Sequence, residues 1–193
     1  MWTAAILAGG QGRRLGGLDK SGLVVGADSI LDRQVSLVRE LTPHILIVGA
    51  HAARAVRTIA GTNVVEDGIT GAGALGGIYT ALTAAPTEQV LVMACDMPFL
   101  TAPFLSALAA RGEGRDAAMP RDARGRHPLC ASYDRRIASH LKHRIDSGQL
   151  RVLDAIAGLD VRELGPDELA PFDTDGRLLM NINTPDDYQR AQN

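Results

Sequence analysis

Arg13, Arg14 and Lys20 share a short stretch with Gly9, Gly10, Gly12, Gly16 and Gly17, directly after the apolar run at residues 3–8. Glycines let a backbone turn sharply and let its N–H groups come close to a ligand. Cations on the same loop add charge complementary to phosphate. An apolar run that stops at glycines reads as a buried strand opening into a loop. Bare N–H groups and cations at a strand's carboxyl end suit a polyphosphate such as a nucleotide. Two familiar phosphate signatures do not fit. The pattern G-x-x-x-x-G-K-[ST] aligns Gly12 with Gly17, but Leu18 and Asp19 intervene before Lys20-Ser21. The dinucleotide pattern G-x-G-x-x-G meets Leu15 where its third glycine belongs.

A second candidate is Asp96, which follows the apolar run at residues 90–95. At the end of a buried strand its carboxylate is suited to Mg²⁺, which takes one or two carboxylates together with phosphate oxygens. The plainer reading has Asp96 capping the turn before Pro98. Gly71, Gly73 and Gly76 satisfy G-x-G-x-x-G, with Asp96 at about the expected distance beyond, and so raise a rival, a dinucleotide-binding oxidoreductase module. Against it, Asp67-Gly68-Ile69-Thr70 separates that cluster from its strand, where the fingerprint wants the turn at once. Arg121, Arg124, Arg126 and His127 gather cations in one turn, either a solvated loop or a second anion-recognising edge. Thr184-Pro185-Asp186-Asp187 starts a helix, with a capping hydroxyl, Pro at the first position and acids in the first turn. That leaves Asn181 and Asn183 at a strand's end, able to hydrogen-bond a polar ligand.

These residues need a scaffold to converge. Strand patterns at residues 4–8, 45–48, 63–66 and 90–95 alternate with helical patterns at 30–41, 52–60 and 76–85. Alternation of this kind predicts an α/β fold of βαβ units around a mostly parallel sheet. Ligands in such sheets sit outside the carboxyl ends of the strands, where the first loop and Asp96 both fall. The second half is less regular. Residues 116–119 and 127–133 read as strands, 134–147 and 150–158 as helices, and 178–182 as a late strand before a terminal helix. One domain over residues 1–193 is expected, since domains typically run to about 100–200 residues.

Composition narrows the function classes. The net charge of −2 argues against non-specific binding to nucleic acid or to an anionic membrane. No segment approaches the roughly 18 continuous apolar residues of a membrane span. Two cysteines, Cys95 and Cys130, form neither a disulfide framework nor a metal-site spacing. A cytoplasmic location is the expectation.

The motifs together resemble molybdenum cofactor guanylyltransferases, the MobA family of nucleotidyltransferases. The resemblance runs through Leu7-Ala8-Gly9-Gly10, Arg13-Arg14-Leu15-Gly16-Gly17, Asp19-Lys20, Glu66-Asp67, Gly73-Ala74-Leu75-Gly76-Gly77, Cys95-Asp96-Met97-Pro98, Arg126-His127-Pro128 and Asn181-Ile182-Asn183-Thr184-Pro185. It implies a three-layer Rossmann-like fold and transfer of GMP from Mg·GTP to the phosphate of molybdopterin, with release of pyrophosphate. By the same resemblance Leu7, Ala8, Gly9 and Gly10 contact the nucleotide and Lys20 its phosphates. Arg14 neutralises the β,γ-phosphates, Asp67 holds the nucleoside end and Asp96 binds Mg²⁺. Arg14, Lys20 and Asp96 form the catalytic set, and Asn181 and Asn183 face the molybdopterin. The N-terminal half is thus expected to hold the nucleotide and the C-terminal half the acceptor. Transient contact with proteins that make or receive the cofactor is a further implication. One position departs: an Asn contacting the nucleotide is expected near the end of the second strand, and this chain has Val48-Gly49-Ala50. A cytidylyltransferase, or a related nucleotidyltransferase with another phosphorylated acceptor, therefore stays open as the alternative.

Overall fold

The structure is a computed structural model and describes residues 1–8, 23–26, 28–49 and 59–192. Gly9, Gly10, Arg14 and Lys20, and most of the helix expected at 52–60, lie outside the described residues.

Strand β1 (Trp2–Leu7) is apolar at four consecutive positions because both faces of the sheet are covered. Ala4 and Ile6 enter one core, Ala5 and Leu7 the other. A small hairpin of β2 (Val24–Val25) and β3 (Asp28–Ser29) leads into helix α1 (Ile30–Arg39), which Ser29 caps by accepting from the Asp32 N–H. Then come β4 (Ile45–Val48), β5 (Asn63–Val65), α2 (Gly73–Ala84), β6 (Gln89–Ala94) and α3 (Ala102–Gly112). The second half holds β7 (Ala117–Asp122), β8 (Gly125–Arg126), β9 (Cys130–Asp134), a 3₁₀ turn at Arg135–Ile137 and α4 (Ala138–Asp146). It ends with α5 (Val152–Ala155), β10 (Val161–Leu164), α6 (Pro166–Leu169) and α7 (Pro185–Gln192).

The sheet order is β10-β7-β9-β6-β1-β4-β5, with β8 paired to β7. Pairs β5–β4, β4–β1, β1–β6 and β7–β10 are parallel; β9 runs against both β6 and β7. Helices α1 and α3 supply Leu31, Val35, Phe104 and Leu105 to one core. Helices α2 and α4 supply Leu75, Ile78, Leu141 and Ile145 to the other. The expected three-layer α/β architecture with a mostly parallel sheet is therefore present. From β1 the chain steps outward through β4 to β5, then returns to lay β6 on the other side of β1. That reversal opens a crevice between the carboxyl ends of β1 and β6, the place where open α/β sheets take ligands.

Three local expectations change. Residues 178–182 form no strand: Met180 N–H closes a turn on the Arg177 carbonyl, and Ile182 N–H goes to the Asp96 carbonyl. The apolar character there comes from burial of Leu178, Leu179 and Ile182 rather than from a ladder. Strand β9 starts only at Cys130, because Pro128 has no N–H to donate and Cys130 N–H turns back to the His127 carbonyl. The helix read over 134–147 is a 3₁₀ turn followed by α4, and the one read over 150–158 is the single turn α5.

A third, smaller core joins the β2–β3 hairpin to the chain's end through Leu23, Val25, Ile30, Ile182 and Ala191. Tyr188 on α7 donates its hydroxyl to the Val24 carbonyl at 2.7 Å.

Candidate active site

A cleft of about 240 Å³ lies over the crevice. Its walls come from the ends of β1 (Leu7, Ala8) and β4 (Val48, Gly49), from Asp67 after β5, and from Gly73, Ala74 and Gly77 on α2. Ala94, Cys95 and Asp96 at the end of β6, with Leu129 and Asn183, complete them. Five residues singled out from the sequence thus converge: Leu7, Ala8, Asp67, Asp96 and Asn183.

Asp96 is 7% exposed, two residues beyond the end of β6. The turn that carries it is held by the sheet. Ala94 N–H donates to the Leu129 carbonyl at 2.8 Å and Cys95 N–H to the Leu7 carbonyl at 3.2 Å. The next helix, α3, begins only at Ala102 with Thr101 as its cap, so Asp96 is no helix cap. Asn181 donates its amide to Asp96 Oδ1 at 3.0 Å, and Ile182 N–H donates to the Asp96 carbonyl at 2.9 Å. Asn181 is therefore joined to the Asp96 carboxylate, while Asn183 lines the cleft itself. Carboxylates that ligate metals are themselves held by hydrogen bonds, and the Asn181 amide supplies one to Asp96. No cluster of three or more His, Cys, Asp or Glu side chains able to hold a metal occurs among the described residues. A hard cation that takes most of its ligands from phosphate and water fits such a sparse donor set.

Asp67 is held by α2. Its Oδ1 accepts from the Thr80 hydroxyl at 3.3 Å, and Thr80 Oγ1 in turn accepts from Gly68 N–H at 3.1 Å. The second glycine cluster makes this approach possible. A Cβ on Gly76 would stand 2.8 Å from Ala72 Cβ and 3.3 Å from Asp67 Oδ1, while one on Gly77 would meet Leu7 Cδ2 at 3.4 Å. These glycines let α2 lie against β1 and Asp67, which accounts for them without a dinucleotide fingerprint. Thr80 was not signalled by the sequence, since a lone threonine inside an apolar helix carries no motif.

The basic turn is neutralised locally. Arg121 and Arg126 both pair with Glu163 on β10, Arg121 at 3.7 Å. Arg124 binds Asp122 at 2.6 Å, and His127 Nε2 lies 2.9 Å from Asp122 Oδ1. Burial raises the Asp122 carboxyl pKa, but hydrogen bonds from Arg124 and the nearby His127 ring outweigh it and hold the value down at about 2. Arg124 also donates to the Leu179 carbonyl at 3.1 Å, tying this turn to the segment that carries Asn181. Asp187 anchors the other end of that segment, accepting from Asn183 N–H at 3.0 Å and Thr184 N–H at 2.9 Å. Thr184 returns the bond from the Asp187 N–H, the helix start read from the sequence.

Among known proteins, a molybdenum cofactor guanylyltransferase of Pelotomaculum thermopropionicum, named as probable, is 31% identical over 98% of this chain and 91% of its own length. The solved molybdopterin-guanine dinucleotide biosynthesis protein A of Archaeoglobus fulgidus superposes with a TM-score of 0.85 at 29% identity, covering 100% of this chain and 97% of that one. A manganese complex of the Rv0371c protein of Mycobacterium tuberculosis H37Rv shares the fold at a TM-score of 0.69 and 21% identity, over 99% of this chain and 97% of that one. The family model described as a MobA-like NTP transferase domain matches residues 4–161. The chain belongs to the MobA-like NTP transferase family.

Proposed function

We propose that the chain transfers GMP from Mg·GTP to the phosphate of molybdopterin, free or bearing molybdenum, and releases pyrophosphate. The observation that carries this reading is the crevice between β1 and β6, where Asp96 lines the cleft and the C-terminal segment bonds its carboxylate through Asn181. Residues 1–193 act as one unit, with the nucleotide on the N-terminal half and the acceptor on the C-terminal half.

An oxygen of the acceptor phosphate attacks the α-phosphorus of GTP. The new bond joins the two phosphates, and the α–β bond breaks with its electron pair leaving on pyrophosphate. Such a transfer needs no protein nucleophile, only positioning and charge compensation. Leu7 and Ala8, with Gly9 and Gly10, hold the nucleotide, and Asp67 holds its nucleoside end. Arg14 and Lys20 compensate charge on the phosphates. Asn181 and Asn183 present the acceptor, Asn181 also fixing the Asp96 carboxylate. A Mg²⁺ ion on Asp96 would supply further charge neutralisation at the phosphate oxygens. Gly49 adds no side chain to the cleft wall with which to read the base.

Among the described residues no helix is long and apolar enough to cross a membrane. The buried thiols of Cys95 and Cys130 suit a reducing compartment, and we place the enzyme in the cytoplasm, in transient contact with proteins that make or receive the cofactor.

Calorimetric titration with GTP, CTP, ATP and NADH, each with and without Mg²⁺, tests the reading before molybdopterin is added as acceptor. GTP binding that strengthens with Mg²⁺, weakens in Asp96→Ala and leads to pyrophosphate release with molybdopterin supports it. Preference for CTP overturns the guanine assignment, and binding of NADH alone overturns the transferase site.

A further inference from the structure

We propose that Gln34 is a positioning residue for Asp96: its buried amide fixes the turn that presents the carboxylate, and so sets the affinity of the site for a divalent cation. The inference rests on the reading of Asp96 as the metal ligand.

Gln34 sits on the face of α1 that packs into the sheet, among Ile30, Leu31, Val35 and Val38, and is 2% exposed. An apolar side chain is the ordinary occupant of such a position. The two hydrogens of its Nε2 go to the Ala94 carbonyl at 2.8 Å and the Met97 carbonyl at 3.0 Å. Those carbonyls bracket Cys95 and Asp96, so one amide staples both ends of the turn. Its Oε1 is buried and finds no hydrogen-bond partner among the described residues. Reversing the amide would set that oxygen against two carbonyl oxygens, so the orientation follows from donor and acceptor chemistry. A buried acceptor left unpaired is unfavourable, and the two donor bonds are what the position gains in exchange.

The grip is shared. The C-terminal segment holds the same turn as well, with Ile182 N–H on the Asp96 carbonyl and the Asn181 amide on Asp96 Oδ1. Asn181 fixes the carboxylate directly, whereas Gln34 fixes the backbone from which it projects. A ligating carboxylate on a slack turn must be ordered by the cation itself, which weakens binding; one on a stapled turn is ordered beforehand.

The test compares Gln34→Met, which keeps bulk but has no donor, with Asp96→Asn. Gln34→Asn, which keeps the amide but shortens its reach, is the second variant should the first not fold. Metal affinity is read by Mn²⁺ titration of the GTP complex and by the Mg²⁺ dependence of pyrophosphate release; GTP affinity without metal and the melting temperature are measured beside them. The expected result for Gln34→Met is about 10-fold or greater loss of metal affinity, with metal-free GTP binding within about twofold of wild type. A lowered melting temperature with unchanged metal affinity makes Gln34 an ordinary core residue and overturns the inference. If Asp96→Asn keeps wild-type metal dependence, the metal reading of Asp96 fails instead.

Discussion

Asn181 and Asp96, 85 positions apart, are joined by a 3.0 Å hydrogen bond from the Asn181 amide to Asp96 Oδ1. The bond ties the C-terminal segment to the wall of the cleft that Asp96 lines. Asn181→Ala removes the amide and leaves the backbone bond from Ile182 to the Asp96 carbonyl in place. Loss of an outer partner of a metal ligand costs about 10–100-fold in metal affinity or activity, and a fall of that size is expected here. Steady-state rates at graded Mg²⁺ check it. Recovery at high Mg²⁺ marks lost orientation of Asp96, whereas a raised KM for the acceptor alone marks an acceptor contact.

Removing Asp96 itself is a larger step. Asp96→Ala is expected to lower the rate by about 10²–10³, or roughly 2.7–4 kcal/mol, by analogy with the loss of one charge-stabilising group elsewhere. A circular-dichroism melt should show the fold retained. Full turnover in that variant sinks the metal assignment.

Thr80 and Asp67 give a distinguishable case. Thr80→Val keeps the shape but deletes the hydroxyl that donates to Asp67 and accepts from Gly68 N–H. A typical hydrogen bond contributes about 0.5–1.5 kcal/mol, so GTP affinity is expected to fall about 2- to 12-fold. The loss should appear in KM for GTP, with the Mg²⁺ requirement unchanged, because Asp67 is assigned to the nucleoside end.

The two adjacent glycines of α2 should respond unequally. Gly76→Ala puts a methyl group 2.8 Å from Ala72 Cβ, and 3.3 Å from both Asp67 Oδ1 and the Ile69 carbonyl. Overpacking of this kind costs about 1–3 kcal/mol. Gly77→Ala meets Leu7 Cδ2 at 3.4 Å, an ordinary contact. Thermal melts of the two variants therefore should separate, with Gly76→Ala melting lower and binding GTP more weakly.

Strands β1, β4 and β6 are plain in the sequence because burial on both faces leaves unbroken apolar runs. Four-residue β10 carries Arg162 and Glu163 in its middle and pairs at the sheet's edge, so it shows no such run. Helix α3 escapes notice because Ala-rich residues after Pro103 give little periodic contrast. The segment 178–182 misleads for the opposite reason: it is apolar and buried, but its N–H groups go to a turn and to Asp96 rather than to a neighbouring strand. Motif residues Leu7, Ala8, Asp67, Asp96 and Asn183 are legible because their types repeat a recognisable pattern, and the cleft brings them together. Thr80, Glu163 and Gln34 are not, because each acts through partners distant in sequence.

Acid should loosen the site before it unfolds the chain. The Asp122 carboxyl lies at about 2, against about 3.9 in an unfolded chain. A depressed folded value means stability that is full above about pH 4 and lost as the pH falls toward 2. The contribution is at most on the order of 3 kcal/mol, at about 1.4 kcal/mol per pKa unit. The Asp187 carboxyl is lowered as well: burial raises it, but hydrogen bonds from Thr184, Asn183 and Arg190 prevail. Both acids hold the segment that carries Asn181 and Asn183, Asp122 through Arg124 and Leu179, Asp187 through Asn183 N–H itself. Urea unfolding of wild type between pH 7 and 2 should therefore lose stability through the lower half of that range. Asp122→Asn should be less stable at pH 7 and lose less on acidification. A variant whose pH dependence matches wild type would place the acid sensitivity elsewhere, since only protonation of Asp122 releases Arg124 from that carboxylate.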